Sequence, residues 1–499
     1  MSFELGTPNT GLALATMSPE SVRIIWQRAV DVFEQTEDFW ALFEGESPDS
    51  PIHVINDTSV GKGLSFRVTS LAGFYGRGKS GDSLFNDEDD FEKAVINSNE
   101  MIADYLRNAT SRTQRMDEKM GMVNELSSGL VEQLGKWMGR EKSARAGMTF
   151  VLKGGSENLI IAGSGNNEAN IVTADGLTYD EILAMGQALK PMGGKPCEIG
   201  TVRGVPVYKY CVVGTTPGLF SLKQDPDYKQ ILREAAPREA FDENPLFTGG
   251  YMNLDGHVIK EFNPIDPDGY AWSGSWFNAK AFLGTAITAG TAAFAIKGGG
   301  SAAAAAITNI DYFRFFPNYA FEFTSTDIYV PGSTVQYLLI VNPKNAATDP
   351  GAVGMYAYTT GNNGNQITIT QRLAPVQNGP VALATVGNVT WNTGVWATAN
   401  GGPGHTQTHP IGATIILCNA NGVPIGDTVM LGGMAMLRGY GMFRNSRTQW
   451  DVDGGFETRS YIKTVFGQKL RTNVNGKIPG YVRLRHALSY PELGLPTVT

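Results

Sequence analysis

Between residues 62 and 140 the spacing of hydrophobic positions changes from two to between three and four. Leu64, Phe66 and Val68 alternate with Ser65, Arg67 and Thr69, the period of a strand with one covered face. A glycine-rich tip follows, Gly73-Phe-Tyr-Gly-Arg-Gly-Lys-Ser-Gly81, and then the acidic run Asp87-Glu-Asp-Asp90. Residues 94–96 can return as the second strand. The result is an extended β-hairpin loop over residues 56–100. A two-stranded arm is marginal alone in water, so it needs a surface to lie on, and a neighbouring subunit is a natural one. From Thr113 the apolar residues Met116, Met120, Val123, Leu126, Leu130, Leu134 and Trp137 recur at helical spacing. They predict one long amphipathic helix over residues 113–140, about 40 Å at the standard rise.

Ser18, Pro19 and Glu20 form a helix start, with Val22, Ile25, Trp26, Ala29 and Phe33 on its apolar face. Residues 150–270 mix strands and helices. Thr178 and Glu181 make a capping-box pattern for a helix through residue 189, residues 205–213 read as a strand, and residues 225–235 as a helix. The character then shifts. Only Lys344, Asp349, Arg372 and Asp427 are charged in residues 331–430. Short β runs at 335–340, 366–370, 381–385 and 413–417 are separated by Asn, Gly and Pro clusters, the pattern of a small β unit. We assign residues 275–430 to an inserted β domain, since insertions are best tolerated in exposed loops. Residues 281–296 are apolar but too short for a membrane span, and read as one or two strands turning at 289–290. The whole is α+β.

Charged residues make up 18% of the 499, below the usual quarter, and glycine is abundant at 60. A weakly charged, loop-rich surface suits a chain much of whose exterior becomes subunit contact. The net charge of −8 argues against a general nucleic-acid-binding face, which needs clustered Lys and Arg. Cys197, Cys211 and Cys418 are an odd number without close spacing, so buried free thiols are expected rather than a disulfide framework. The N-terminal residues lack a basic region followed by an apolar one, and no secretory signal is expected there.

One motif tempts toward chemistry. Gly73 to Ser80 fits the phosphate-loop pattern G-x-x-x-x-G-K-[ST]. A true phosphate loop follows a continuously apolar strand and opens into a helix whose N-terminus faces the phosphates. Here the preceding strand alternates with polar residues, and Asp82 puts negative charge beside the proposed site. His405 and His409 are four apart, but Gly and Pro flank them and no acid or Cys completes a metal set, so a surface loop is expected. The 87–90 run lacks the spacing of a calcium loop, and no G-x-S-x-G elbow is present. No catalytic residue, cofactor or metal is assigned.

The run Pro51-Ile-His-Val-Ile, then Gly61-Lys-Gly-Leu-Ser-Phe, Gly76-Arg-Gly-Lys-Ser-Gly-Asp82 and the helix start Arg112-Thr-Gln-Arg-Met-Asp117 resemble major capsid proteins of tailed bacteriophages, the N-four-type subgroup in particular. Gly439-Tyr-Gly, Asp453-Gly-Gly-Phe456, residues 463–469 and Gly480-Tyr-Val-Arg-Leu-Arg-His486 resemble that family's returning strands. The resemblance spans roughly residues 20–270 and 430–490. It implies a Hong Kong 97-like fold. Residues 1–55 would be the N-terminal arm, 56–100 the extended loop, and 101–150 with 440–499 the peripheral domain carrying the spine helix 113–140. Residues 151–274 with 431–439 would be the axial domain. It further implies a structural protein that forms hexamers and pentamers of an icosahedral head around double-stranded DNA, assembled in the host bacterial cytoplasm and carried in the virion. Scaffolding, portal and decoration proteins would be its partners, and no membrane is involved. The acidic balance suits a wall that does not hold DNA. On this reading Phe74, Tyr75, Arg77 and Lys79 at the loop tip, with Glu88 and Asp89 on its flank, contact neighbouring subunits. Two other readings stay open: a nucleotide-binding enzyme using the 73–80 loop, and a decoration or receptor-binding protein built on the β domain.

Overall fold

The computed structural model describes residues 34, 38–57, 64–71, 96–113, 123–152, 156–163, 170–202, 205–235, 252–254, 256–262, 280–282, 336–345, 353–360, 367–375, 384–386, 389–391, 396–398, 409–410, 413–419, 421–441, 446–452, 457–473 and 477–491. Its strands and helices run in chain order as β1 (Glu44–Gly45), β2 (Ile52–Asn56), β3 (Ser65–Leu71), β4 (Ile96–Ile102), β5 (Asp104–Thr113), α1 (Val123–Leu152), β6 (Leu159–Ile161), α2 (Tyr179–Leu189), β7 (Cys197–Val202), β8 (Val205–Gly214), α3 (Thr216–Gln224), α4 (Pro226–Ala235), β9 (Met252–Leu254) and β10 (His257–Glu261). There follow β11 (Lys280–Phe282), β12 (Gln336–Val341), β13 (Val353–Thr360), β14 (Ile367–Pro375), β15 (Ala384–Val386), β16 (Val389–Trp391), β17 (Trp396–Thr398), β18 (Thr414–Cys418), β19 (Ile425–Leu431), β20 (Met436–Tyr440), β21 (Ser446–Val452), β22 (Glu457–Leu470) and β23 (Tyr481–Ala487).

Three larger sheets carry the architecture. The first has the order β1-β2-β20-β22-β21, with β5 also paired to β22. Its axis is β22, whose 14 residues pair with β20 near one end and with β5 and β21 toward the other. The helix α1 packs on this sheet through Leu134 and Met138, which meet Leu106 and Ile462 beside Trp137. Each such buried side chain contributes on the order of 1.5–3 kcal/mol by leaving water.

The second sheet has the order β6-β23-β19-β8-β10-β9, with β7 on β8. Helices α2, α3 and α4 supply Ile182, Met185, Leu189, Leu219, Leu222 and Tyr228 to a core shared with Val212, Ile259, Met430, Val482 and Leu484. The capping box of α2 forms as expected: Glu181 N donates to Thr178 Oγ1, and Thr178 N to the Glu181 carboxylate. The third sheet is β11-β18-β12-β13-β14-β17, all antiparallel. The four predicted β runs of this region appear as strands at 336–341, 367–375, 384–386 and 414–418; the third is in a separate two-stranded pair and the other three are in this sheet.

Several expectations are corrected. The helix is not 113–140. Residues 104–113 are β5, drawn into a ladder with β22, and α1 continues to Leu152. The apolar stripe fades after residue 140 because polar side chains are buried there beside Ala146 and Phe150: Glu141, Lys142, Ser143, Arg145 and Thr149 are all buried. The returning strand of the hairpin is described over Ile96–Ile102, reaching well past the expected residues 94–96, of which 94 and 95 lie outside the described residues. Residues 425–430, counted above with the insertion, form with Leu431 a central strand of the second sheet. Residues 436–439, counted with the axial portion, pair in the first sheet together with Tyr440, and residues 481–487, counted with the peripheral portion, pair in the second. His409 is fully buried, not on a surface loop, with Nδ1 2.6 Å from Asn342 Oδ1. All three cysteines are buried free thiols. The expected helix near residue 18 lies outside the described residues.

Candidate assembly site

The hairpin β3–β4 pairs antiparallel from Ser65↔Ile102 to Leu71↔Ile96. One face is fixed to the body. Phe66 and Met101 join Ala103, Leu437 and Val465 in a buried cluster. Phe66 sits so close over β20 that a Cβ built on Gly439 would fall 2.5 Å from its ring, so glycine is what lets the arm lie down there. Asn99 is buried and fully engaged: its Nδ2 donates to Thr472 O at 2.9 Å, and its Oδ1 accepts from Thr472 N and Oγ1. Asn97 Nδ2 donates to the same carbonyl at 2.7 Å. Polar residues on the inward face explain why the strand signal in β4 was faint.

The opposite face looks outward. Ile96 and Ile102 are 65% and 45% exposed, Leu64 beside them 54%. Between the isoleucines Arg67 and Glu100 form an exposed pair at 3.6 Å. The Ser65 hydroxyl, then Arg67, hold the Glu100 carboxyl below its usual range. Single exposed apolar residues are ordinary. Ile96 and Ile102 on one short ribbon, on either side of one ion pair, form the composition of a contact rim and core. The predicted tip residues Phe74, Tyr75, Arg77 and Lys79, and the flank residues Glu88 and Asp89, lie outside the described residues. What is visible is that the segment containing them joins two antiparallel strands, the topology of an arm.

A second feature, unseen in the sequence, is an ionic cluster at the root of the N-terminal segment. Glu34, Asp38 and Glu44 come from that segment, Lys142 from α1, and Arg438 and Tyr440 from β20. Arg438 Nη1 donates to Asp38 Oδ2 at 2.8 Å and also to Glu44 Oε1, and Arg438 Nη2 to Lys142 O at 3.3 Å. Lys142 Nζ pairs with Glu34, and Tyr440 OH donates to Glu44 Oε1 at 3.1 Å. Aromatic rings close the site. Trp40 packs among Phe43, Phe150 and Phe262, and its Nε1 donates to Ser143 O at 2.9 Å. Lys142 lies 4.6 Å from the Tyr440 ring centre. Burial pushes the Asp38 carboxyl up to about 6, against the pull of Arg438. Burial likewise lowers the Lys142 ammonium, against Glu34.

A third cluster lies in the second sheet. Asp427 accepts from Arg485 Nε at 2.8 Å and Nη2 at 3.0 Å, with Arg483 at 3.6 Å. Beside it Thr428 Oγ1 lies 2.8 Å from His486 Nε2, while His486 Nδ1 donates to Ala487 O. Burial lowers the His486 imidazole, which favours its neutral form. These groups join and orient β19 and β23.

No family model matches the sequence, and no curated protein sequence does. Solved structures do match in shape. The chain is similar to the capsid of Ralstonia phage GP4, with 12% identity, a TM-score of 0.50, and coverage of 91% of this chain and 92% of that one. It is similar in the same degree to the capsid asymmetric unit of cyanophage Pam1, with 11% identity, a TM-score of 0.50, and coverage of 90% and 92%. With sheets, long helix and hairpin arm arranged as described, the chain has the Hong Kong 97-like fold of phage capsid proteins.

Proposed function

We propose that this chain is the major capsid protein of a tailed, double-stranded DNA phage. Copies of it assemble into hexamers and pentamers of an icosahedral head. The single observation that carries this reading is the likeness to phage capsids over nine tenths of the chain rather than over one domain. The hairpin supports it: one face is tied to its own body by Phe66 and Asn99, and the other offers Ile96 and Ile102 to a further copy. Repeated identical contacts of modest strength close a shell by symmetry. The protein is structural rather than enzymatic on this reading, resides in the virion after assembly in the host cytoplasm, and works with scaffolding, portal and decoration proteins. Phe74, Tyr75, Arg77, Lys79, Glu88 and Asp89 make inter-subunit contacts at the arm's far end. The third sheet belongs to an inserted β unit.

Negative-stain microscopy of the purified protein tests this: rings or closed shells are expected. The double substitution Arg77→Glu with Lys79→Glu is expected to leave a folded subunit that assembles poorly. Normal shells from that variant would remove the tip's role. A subunit that stays monomeric and binds ATP would favour the enzyme reading of the 73–80 loop instead.

A further inference from the structure

The cluster beneath the N-terminal segment is unbalanced. Asp38 and Glu44 face one cation between them, Arg438, while Lys142 is taken up by Glu34, and all five side chains are nearly or wholly removed from water. Arg438 alone must serve both Asp38 and Glu44 through the same nitrogen. Every acid lies on the segment that docks, and every cation on the body that receives it. In a site lined by Trp40, Phe150, Phe262, Tyr440 and Phe466, the surplus negative charge has no solvent to spread into.

We propose that this cluster is a proton-sensitive clasp: residues 38–44 grip the body more tightly in mildly acidic solution than above neutrality, because one added proton balances Asp38 and Glu44 against Arg438. Asp38 is the group that takes it. It sits between Glu44 on its own segment, Arg438 and Tyr440 on β20, and Lys142 on α1. Burial, and then the nearby Glu44, raise its carboxyl, while Arg438 and Lys142 oppose them. The sign follows from linkage. A carboxyl raised in the docked state holds more protons there than in the free segment, so docking is strongest below the free value of 3.8 and weakens as pH rises through about 6. The Tyr440 hydroxyl is held well above its usual value, by burial, and does not titrate in this range.

Hydrogen–deuterium exchange of the full chain, read on peptides covering residues 38–45 and corrected for intrinsic rates, tests the clasp. Between about pH 7.5 and about pH 5.5 the protection of these peptides is expected to rise about fourfold. In Asp38→Asn, where the amide still caps the Trp40 backbone, protection is expected to be equal at both values. In Glu44→Gln, which also balances the charge count, the rise is expected to shrink. Protection that is unchanged or lower in acid in the native protein overturns the proposal. So does a full response retained in Asp38→Asn. The native measurement decides the direction even if a variant fails to fold. The experiment does not depend on shell formation, so its failure would leave the capsid reading standing.

Discussion

Asp38 and Asp427 are both sealed from water, each beside an arginine, yet burial wins at one and loses at the other. Asp38 is raised to about 6, whereas Asp427 is held below its usual value. The difference lies in the charge count around them. Burial also works to raise Asp427, but Arg485 grips it with two nitrogens and Arg483 adds a second guanidinium, so one carboxylate has two cations. Asp38 shares one arginine with Glu44. Desolvation is similar at the two sites, and the partner ratio decides the sign. The first arrangement makes a permanent joint between β19 and β23. The second makes a joint that answers to pH.

The comparison is broken most directly at Arg438. Arg438→Met is expected to cost about 3–5 kcal/mol in chemical denaturation, because it strands two buried carboxylates at once. The loss should shrink in acid, where those carboxylates can be protonated. A cost under about 1 kcal/mol at neutral pH would show that water reaches the cluster and that the imbalance is not felt.

Little of this was legible in the sequence. Glu34, Asp38, Glu44, Lys142 and Arg438 read as ordinary solvated charges, since nothing in local periodicity says that positions 400 residues apart will meet. The same is true of β5. Residues 112 and 113 look like a helix start because Thr113 precedes a helical stripe, but their backbone is claimed by β22. Long-range pairing overrode local preference. What was legible rests on short-range chemistry. The Thr178–Glu181 box fixes its own helix end, and the alternation around Phe66 marks a strand whose covered face is visible within a few residues. The fold class came through because sheet and helix periods survive locally. The boundaries between sheets did not, because β19, β20 and β23 exchange neighbours across the chain.

A smaller effect sharpens the other half of the comparison. Asp427→Asn is expected to cost about 3 kcal/mol at neutral pH, by leaving Arg485 and Arg483 facing a neutral amide. The sign of its pH dependence is opposite to that at Asp38. A lowered carboxyl contributes stability that is present above the unfolded value of 3.8 and is lost as pH falls through its lower folded value. Acid unfolding monitored by circular dichroism should therefore be steeper below about pH 4 in the native protein than in Asp427→Asn. Equal slopes would mean that the joint between β19 and β23 does not depend on this charge.

The smallest expected change is the most discriminating. Asp38→Asn removes a buried negative charge and weakens one hydrogen bond to Arg438. The gain from balancing the site and the loss of charge assistance oppose each other, so at about pH 7.5 the net should be within about 1 kcal/mol, on the stabilising side. Below about pH 5 the native Asp38 is itself neutral, and the two proteins should melt together. A variant that is less stable than the native chain at the higher pH, and stays so in acid, would mean that Arg438 is strong enough to keep Asp38 charged. The two buried aspartates would then differ in degree and not in kind.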